Sequence, residues 1–274
     1  MKRGTSKESS FKLSEESSGS SLKTHLGISR YERVEENVHF GGIKSVYAAS
    51  PKITVIIPAL NEEKNIVEII QELYRAGFSD ILVIDGNSKD GTVDVAEKLG
   101  VKVVQQKGKG KGNALRQAFN YDNLGDWVVM IDADGSMNPE EIVTMLKPLG
   151  NGADVVKGSR FMPNGFSEDM TFLRRMGNSF FVLLVNLIWG ARYTDLCYGY
   201  AAFSKKALAV LYPHLKSMSF EIETEIFVKA RKLGLRVKEV PSIELPRKFG
   251  KSNLNSFKDG FQILKTILLE AAYS

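Results

Sequence analysis

Cysteine, histidine and long apolar runs are what this 274-residue chain has least of. Cys197 is the only cysteine, so a disulfide within the chain and a cysteine-rich zinc site are both excluded. His25, His39 and His214 are scattered without ligand spacing, and no Ser, Cys and His arrangement marks a nucleophile, which disfavours triad hydrolysis. The longest apolar run, Phe180 to Trp189, spans ten residues with Asn186 inside it, against the roughly 20 that a membrane-spanning helix needs. The N-terminus carries charge and serine but no apolar core of a secretory signal. A cytoplasmic location is expected, peripheral at the inner face of a membrane at most. Blocks of one charge are missing too. The 37 basic and 32 acidic side chains are interleaved, for a net charge of +5. That argues against a nucleic-acid partner and leaves room for local phosphate or anionic-membrane sites.

What is present reads as one globular domain behind a tail. Residues 1–25 hold eight serines and little to bury, and are expected to be disordered. Residues 26–50 form an arm, either a short helix or a segment packed on the domain. From 51 to 274 the pattern turns regular. ITVIIPA, DILVIDGN, VKVVQQ and DWVVMIDADG read as strands, alternating with helical stretches that follow PALNEE, GNSKDGT and GKGKGNA. Such alternation predicts an α/β fold with a doubly wound, mostly parallel sheet flanked by helices, and ligands beyond the carboxyl ends of its strands. Further on, ADVVKGSRF predicts a strand. DMTFLRRMGNSFFVLLVNLIWG, AAFSKKALAVLYPHL and FEIETEIFVKARKLG predict helices, and RVKEVPSIEL predicts a strand interrupted at Pro241. The C-terminal SFKDGFQILKTILLEAA predicts an amphipathic helix.

Polar groups collect at the strand ends. Asp132 and Asp134 flank Ala133, and in an extended strand residues two apart share a face, so both carboxylates would reach one point. Two readings compete: a hard divalent cation shared with a diphosphate, or an acidic turn capping the next helix. Asp85 ends the second strand as Asp132 ends the fourth, and Asn61 and Glu62 follow the first; each could instead cap a turn. Lys109 and Lys111 lie in a glycine-rich loop that opens a helix, either a phosphate cradle or a solvated turn. Arg160, Arg174, Arg175, Arg247, Lys248 and Lys251 complete the basic groups, and arginine suits bidentate phosphate contact.

In this order, IIPALNEE, VIDGNSKDGT, KGKGNALRQAF, MIDADGS and KGSRF resemble a family 2 glycosyltransferase with the GT-A fold. LRRMGN, TDLCYGYAAFSKKAL, FEIETEIFVKA and VKEVPSIELPRKFGKSNL resemble its dolichyl-phosphate mannosyltransferase branch, over residues 52–269. The resemblance implies inverting transfer of a sugar from a nucleotide-sugar of the GDP-mannose or UDP-glucose type to a polyprenyl phosphate at a membrane surface. It places the nucleotide-sugar against Pro58, Leu60, Asn61, Glu62, Asp85, Lys109, Lys111, Asp132 and Ala133. Mg²⁺ or Mn²⁺ falls to Asp132 and Asp134, with Ser136 where the family often has glutamine. The acceptor phosphate and departing diphosphate fall to Arg160, Arg174 or Arg175, and Arg247, with Lys251 and Ser252 nearby. Asp134, Arg160 and Arg247 take the catalytic role, with Asp195 as the candidate for orienting a substrate. An anionic phosphate acceptor needs neutralisation more than a strong base. Membrane contact would fall to the apolar helix after Arg175 and to the C-terminal helix, for which core packing is the competing reading. Transfer to a soluble acceptor, or a non-catalytic nucleotide-sugar-binding subunit, are the alternative functions.

Overall fold

The computed structural model describes residues 50–252 and 254–273. The expected tail, and the arm up to residue 49, lie outside the described residues. Strands β1 (Ile53–Ala59), β2 (Ile81–Asp85), β3 (Lys102–Gln105) and β4 (Trp127–Met130) are separated by helices α1 (Glu63–Arg75), α2 (Thr92–Lys98) and α3 (Lys111–Phe119). β1 and β2 are continuous apolar runs because both of their faces are covered; Val55, Ile56, Ile57 and Val83 are fully buried. A 3₁₀ turn follows at Pro139–Glu141, with Pro139 at its start and the Asn138 side chain accepting from Glu140 N. Then come α4 (Ile142–Gly150), β5 (Val155–Ser159), β6 (Phe166–Ser167), α5 (Phe172–Trp189) and β7 (Ala201–Ser204). The chain closes with α6 (Lys205–Leu211), α7 (Ile222–Lys232), β8 (Val237–Pro241), β9 (Ile243–Glu244) and α8 (Ser256–Ala272).

Seven strands form one sheet in the order β3-β2-β1-β4-β7-β5-β8. Only β7 is antiparallel, to β4 and β5; the other pairs are parallel. One apolar cluster lies under α3, α5, α7 and α8, built on Ile56, Leu82, Met130 and Phe203. The other lies under α1 and α4, built on Val55, Ile57, Val83 and Val129. The mostly parallel, helix-flanked sheet expected from sequence is the one observed. β1 leads outward to β2 and β3 on one side, while β4 lies on the other. That reversal opens a crevice at the carboxyl ends of β1 and β4.

Three local expectations change. AAFS is not the start of a helix but β7, in the middle of the sheet. Ala201, Ala202 and Phe203 are fully buried, and pairing on both sides overrides the helix preference of alanine. The helix begins only where the Ser204 hydroxyl accepts from Ala207 N at 3.1 Å. Second, β4 ends at Met130, so Asp132 and Asp134 sit in the turn beyond it and strand alternation does not aim them. Third, RVKEVPSIEL is split at Ser242 between two sheets, and β9 pairs with β6.

Candidate active site

A cavity of about 790 Å³ opens beyond the carboxyl ends of β1, β2, β4 and β5, within the size range of small-molecule sites. On one flank it is lined by Pro58 near the end of β1, by Leu60 and Glu62 after it, and by Gly86, Asn87 and Lys89 after β2. Lys109 and Lys111 close that flank, and Asp132, Ala133, Asp134 and Ser136 lie on its floor. On the other flank are Arg160, Arg174, Arg247 and Ser252, with an apolar passage of Leu173, Phe181, Phe257 and Ile263 from α5 and α8.

The expected residues meet, but several are already partnered by the protein. Lys111 Nζ lies 2.6 Å from Asp132 Oδ1 and 2.6 Å from Glu223 Oε1. Burial alone would lower its ammonium. The facing Asp132 and Glu223 outweigh that and hold it above its ordinary value. Burial raises the Glu223 carboxyl against the pull of Lys111, and the charge of Asp132 adds to the rise. This contact depends on Gly199, where a Cβ would stand 2.7 Å from Glu223 Oε1 and 2.9 Å from Lys111 Nζ.

Arg160 has its fork filled. Nε and Nη2 donate to Asp195 at 2.8 and 2.9 Å, Nη1 donates to both Glu244 oxygens at 3.1 Å, and Nη2 also reaches Cys197 O at 2.8 Å. Its guanidinium also lies over the Tyr198 ring, 4.6 Å from the centroid. Asp195 is fully buried and is not among the residues lining the cavity. Burial, the largest single influence, would raise its carboxyl, but the charge and hydrogen bonds of Arg160 together with the charge of Lys157 outweigh it and hold the carboxyl below the usual range. Arg247 donates to Glu62 through both terminal nitrogens, at 2.6 and 2.8 Å. Its Nε is buried without a hydrogen-bond partner among the described residues, 3.7 Å from Asp134 Oδ2.

Other expected residues are placed differently. Asp85 is buried and accepts from Asn87 N at 3.0 Å and Ser88 N at 3.1 Å, so its carboxylate closes the turn after β2. Asn61, at φ 57°, accepts from Lys89 N at 2.8 Å, tying the β1 and β2 loops together. Arg175 lies over the Phe161 ring, and Lys251 is exposed; neither lines the cavity. Cys197 does line it, but burial pushes its thiol up to about 12, so it holds no thiolate at neutral pH.

The glycine-rich loop is shaped by packing. A Cβ on Gly110, at φ +91°, would stand 2.1 Å from Met218 O, and one on Gly112 would stand 2.6 Å from Ser217 O. The loop is therefore pressed against residues 217–219, which holds Lys109 and Lys111 at the cavity. Gly110→Ala is expected to cost about 1–3 kcal/mol by forcing that backbone apart. Urea denaturation measures it, and an unchanged midpoint would contradict the packing.

Glu223 and Glu244 were not singled out from sequence. The available signal was a carboxylate set among apolar residues in EIETEIF and SIEL, which is costly unless a cation faces it. Asp132 and Asp134 supply hard oxygen donors. The Ser136 hydroxyl is 2.7 Å from Asp134 Oδ1, and Lys111 and Arg247 stand beside the pair as the positive charge it requires. Among the described residues no three His, Cys, Asp or Glu side chains gather as a complete metal site. Two carboxylates with open positions fit Mg²⁺ or Mn²⁺ completed by diphosphate oxygens.

Residues 54–212 match the family model described as Glycosyl transferase family 2. The chain is 37% identical over 209 residues to "Glycosyltransferase AglJ" of Haloferax volcanii, covering 76% of this chain and 68% of that one. It is 28% identical over 242 residues to a "UDP-N-acetylglucosamine--dolichyl-phosphate N-acetylglucosaminyltransferase" of Methanococcus voltae, covering 81% and 96%. The crystal structure of glucosyl-3-phosphoglycerate synthase from Mycobacterium tuberculosis, in complex with Mn²⁺, UDP and glucosyl-3-phosphoglycerate, superimposes with a TM-score of 0.65. It is 23% identical and covers 81% of each chain, a likeness of fold. With its GT-A sheet and the matched segment running from β1 through α6, the chain belongs to glycosyl transferase family 2 and is a glycosyltransferase.

Proposed function

We propose that this enzyme transfers a hexose, with inversion, from a nucleotide-sugar to a polyprenyl phosphate at a membrane surface. One observation carries the reading: a single cavity joins the Asp132/Asp134 pair and its cations to an apolar passage between α5 and α8. The first part suits a diphosphate and the second a hydrocarbon chain. The dolichyl-phosphate acceptor in the name of the Methanococcus voltae relative agrees with it.

The nucleotide-sugar lies against Pro58, Leu60, Glu62, Lys109 and Ala133, with Asn61 and Asp85 shaping the loops that receive it. Asp132 and Asp134, with Ser136 beside them, would hold Mg²⁺ or Mn²⁺. Bound there, the cation would neutralise the departing diphosphate. Arg174 faces the acceptor phosphate, with Arg160 beside it as a positive charge whose donors are taken up by Asp195, Glu244 and Cys197 O. The phosphate oxygen forms the new bond to the anomeric carbon as the bond to the diphosphate breaks. The electron pair leaves with the nucleoside diphosphate. Arg247 and Lys111 balance that charge, and Asp195 acts by fixing Arg160. The phosphate monoester is already anionic at neutral pH, so no side chain need remove a proton.

The test is nucleoside diphosphate release by the full chain with Mn²⁺ and a panel of GDP- and UDP-sugars, with and without polyprenyl phosphate in detergent. Release is expected only when polyprenyl phosphate is present. Equal turnover with water-soluble phosphorylated acceptors would sink the lipid reading.

A further inference from the structure

The Asp195–Arg160 pair is one link of a longer buried chain of charge. At the inner end stands Lys157 on β5, a strand buried along its whole length, and the Lys157 side chain has no exposure at all. An ammonium in such a place is costly unless its donors are filled. Its Nζ donates to Glu239 Oε1 at 3.1 Å, to Asp195 O at 2.5 Å and to Gly158 O at 3.3 Å. It also stands 4.7 Å from the centre of the Phe227 ring. Glu239 is the register partner of Lys157 across the parallel β5–β8 pair. From the interior outward the charges alternate in sign: Glu239 and Lys157, then Asp195 and Arg160, then Glu244.

The two halves of this chain meet at Asp195. Its main chain is gripped from both sides, the C=O by Lys157 and the N–H by Glu239 Oε1 at 3.4 Å, while its side chain takes Arg160. Glu239 Oε2 accepts from Thr194 N and from the Thr194 hydroxyl, both at 2.9 Å. That hydroxyl lies 2.6 Å from Ser159 Oγ, which accepts from Phe161 N at 3.2 Å. The residues on either side of Arg160, and the carboxylate that holds it, are thus tied to one ion pair. Neither Lys157 nor Glu239 lines the cavity. An apolar side chain at 157 would fill the core without desolvating two charges, so packing does not account for the pair. What the pair adds is direction, because its hydrogen bonds fix the main chain of the 194–195 segment.

We propose that Lys157 and Glu239 are positioning residues, which clamp the Thr194–Asp195 main chain so that Asp195 holds Arg160 at the acceptor side of the cavity. The clamp rests on the proposed role of Arg160 for its effect on transfer, but it also makes a prediction about Arg160 that needs no substrate.

The experiment compares Lys157→Met with the double variant Lys157→Met and Glu239→Gln, each in the full chain. Lys157→Met alone leaves Glu239 without its counter-charge and is expected to lower the thermal midpoint. The double variant removes both charges and is expected to recover most of that loss, since replacing a whole buried pair is often neutral. Its kcat/KM for polyprenyl phosphate in detergent is expected to stay about 10- to 100-fold below the parent, the scale on which a small misplacement acts. Binding of the nucleotide-sugar with Mn²⁺, on the opposite flank, should stay as in the parent. Recovery of turnover together with stability would overturn the clamp, because the pair would then serve stability alone. An equal loss of donor binding would overturn it too, since the damage would not be confined to the acceptor side.

The readout without substrate is hydrogen exchange at Arg160 Nε, followed by NMR with isotope-labelled arginine and assigned with Arg160→Lys. This N–H is expected to exchange slowly in the parent and about tenfold or more faster in the double variant, as a loosened segment opens more often. An unchanged rate would sink the proposal. A parent chain that shows no turnover with polyprenyl phosphate sinks the acceptor reading alone, and the exchange rate still decides the clamp. If the Lys157 variants do not fold, Thr194→Val takes their place. Thr194 is exposed, and the change removes only the hydroxyl that reaches Glu239 and Ser159. It is expected to speed Arg160 exchange by about threefold to tenfold, the worth of one hydrogen bond, and the parent rate in this variant would refute the clamp.

Discussion

Asp195→Ala is expected to cost about 3–5 kcal/mol of stability, because it leaves the Arg160 guanidinium buried without its main counter-charge. That is a large share of the 5–15 kcal/mol typical of a folded domain. Asp195 is fully buried and Arg160 nearly so, with side-chain exposures of 0 and 7%. Two donors from the Arg160 side chain and one from its backbone N meet the two Asp195 oxygens. Glu244 would remain as a partner, but it is further out and already accepts from Ser167. Sugar transfer is expected to fall with stability, since Arg160 is then free to turn away from the cavity. The two effects separate in Asp195→Asn, which keeps the size and two acceptor lone pairs but loses the charge. It should recover part of the stability while turnover stays low. Urea denaturation and diphosphate release are the measurements. A shift below about 1 kcal/mol for the alanine variant would refute the counter-charge role, since that is the range of exposed pairs.

Asp132→Ala is expected to abolish Mn²⁺-dependent donor binding and to lower turnover by about 10³-fold, the scale on which loss of a key electrostatic group acts. The fold should survive, because Lys111 keeps Glu223 at 2.6 Å as its counter-charge. Lys111→Met is the informative companion. In the parent, Lys111 and a cation compete for Asp132, and removing the ammonium leaves Asp132 and Glu223 facing one space without compensation. Like charges so placed favour a divalent ion. The Lys111→Met variant is therefore expected to bind Mn²⁺ more tightly, by electron paramagnetic resonance titration, while losing stability without metal. Weaker Mn²⁺ binding would mean that Lys111 positions Asp132 instead of competing for it. Full turnover by Asp132→Ala would refute the metal assignment itself.

Much of this architecture was readable because it is local. The β1 and β2 strands announce themselves as ITVIIPA and ILVID, runs that can be buried only between two layers of helix. β7 escaped because four residues, two of them alanine, carry no periodicity of their own; their neighbours in the sheet define them. The glycine-rich loop before α3 reads from sequence as either a phosphate cradle or a solvated turn. At Gly110 and Gly112 the 217–219 segment, more than 100 residues away in sequence, packs against the backbone, a contact neither reading could foresee.

The candidate site divides in the same way. Sequence by itself determined which chemical groups the chain owns and the strand ends that carry them: the Asp132/Asp134 pair, the lysines at the start of α3, the arginines after β5 and β9. Tertiary structure alone decided their partners, because each ion pair joins distant segments. Lys111 meets Glu223 across 112 residues, Arg160 meets Glu244 across 84, and Arg247 meets Glu62 across 185. It likewise decided which sides of α5 and α8 face outward, since helical periodicity shows an apolar stripe but not what covers it. Side-chain identity is written along the chain. Charge compensation and burial depend on distance in space, which only the completed sheet order fixes.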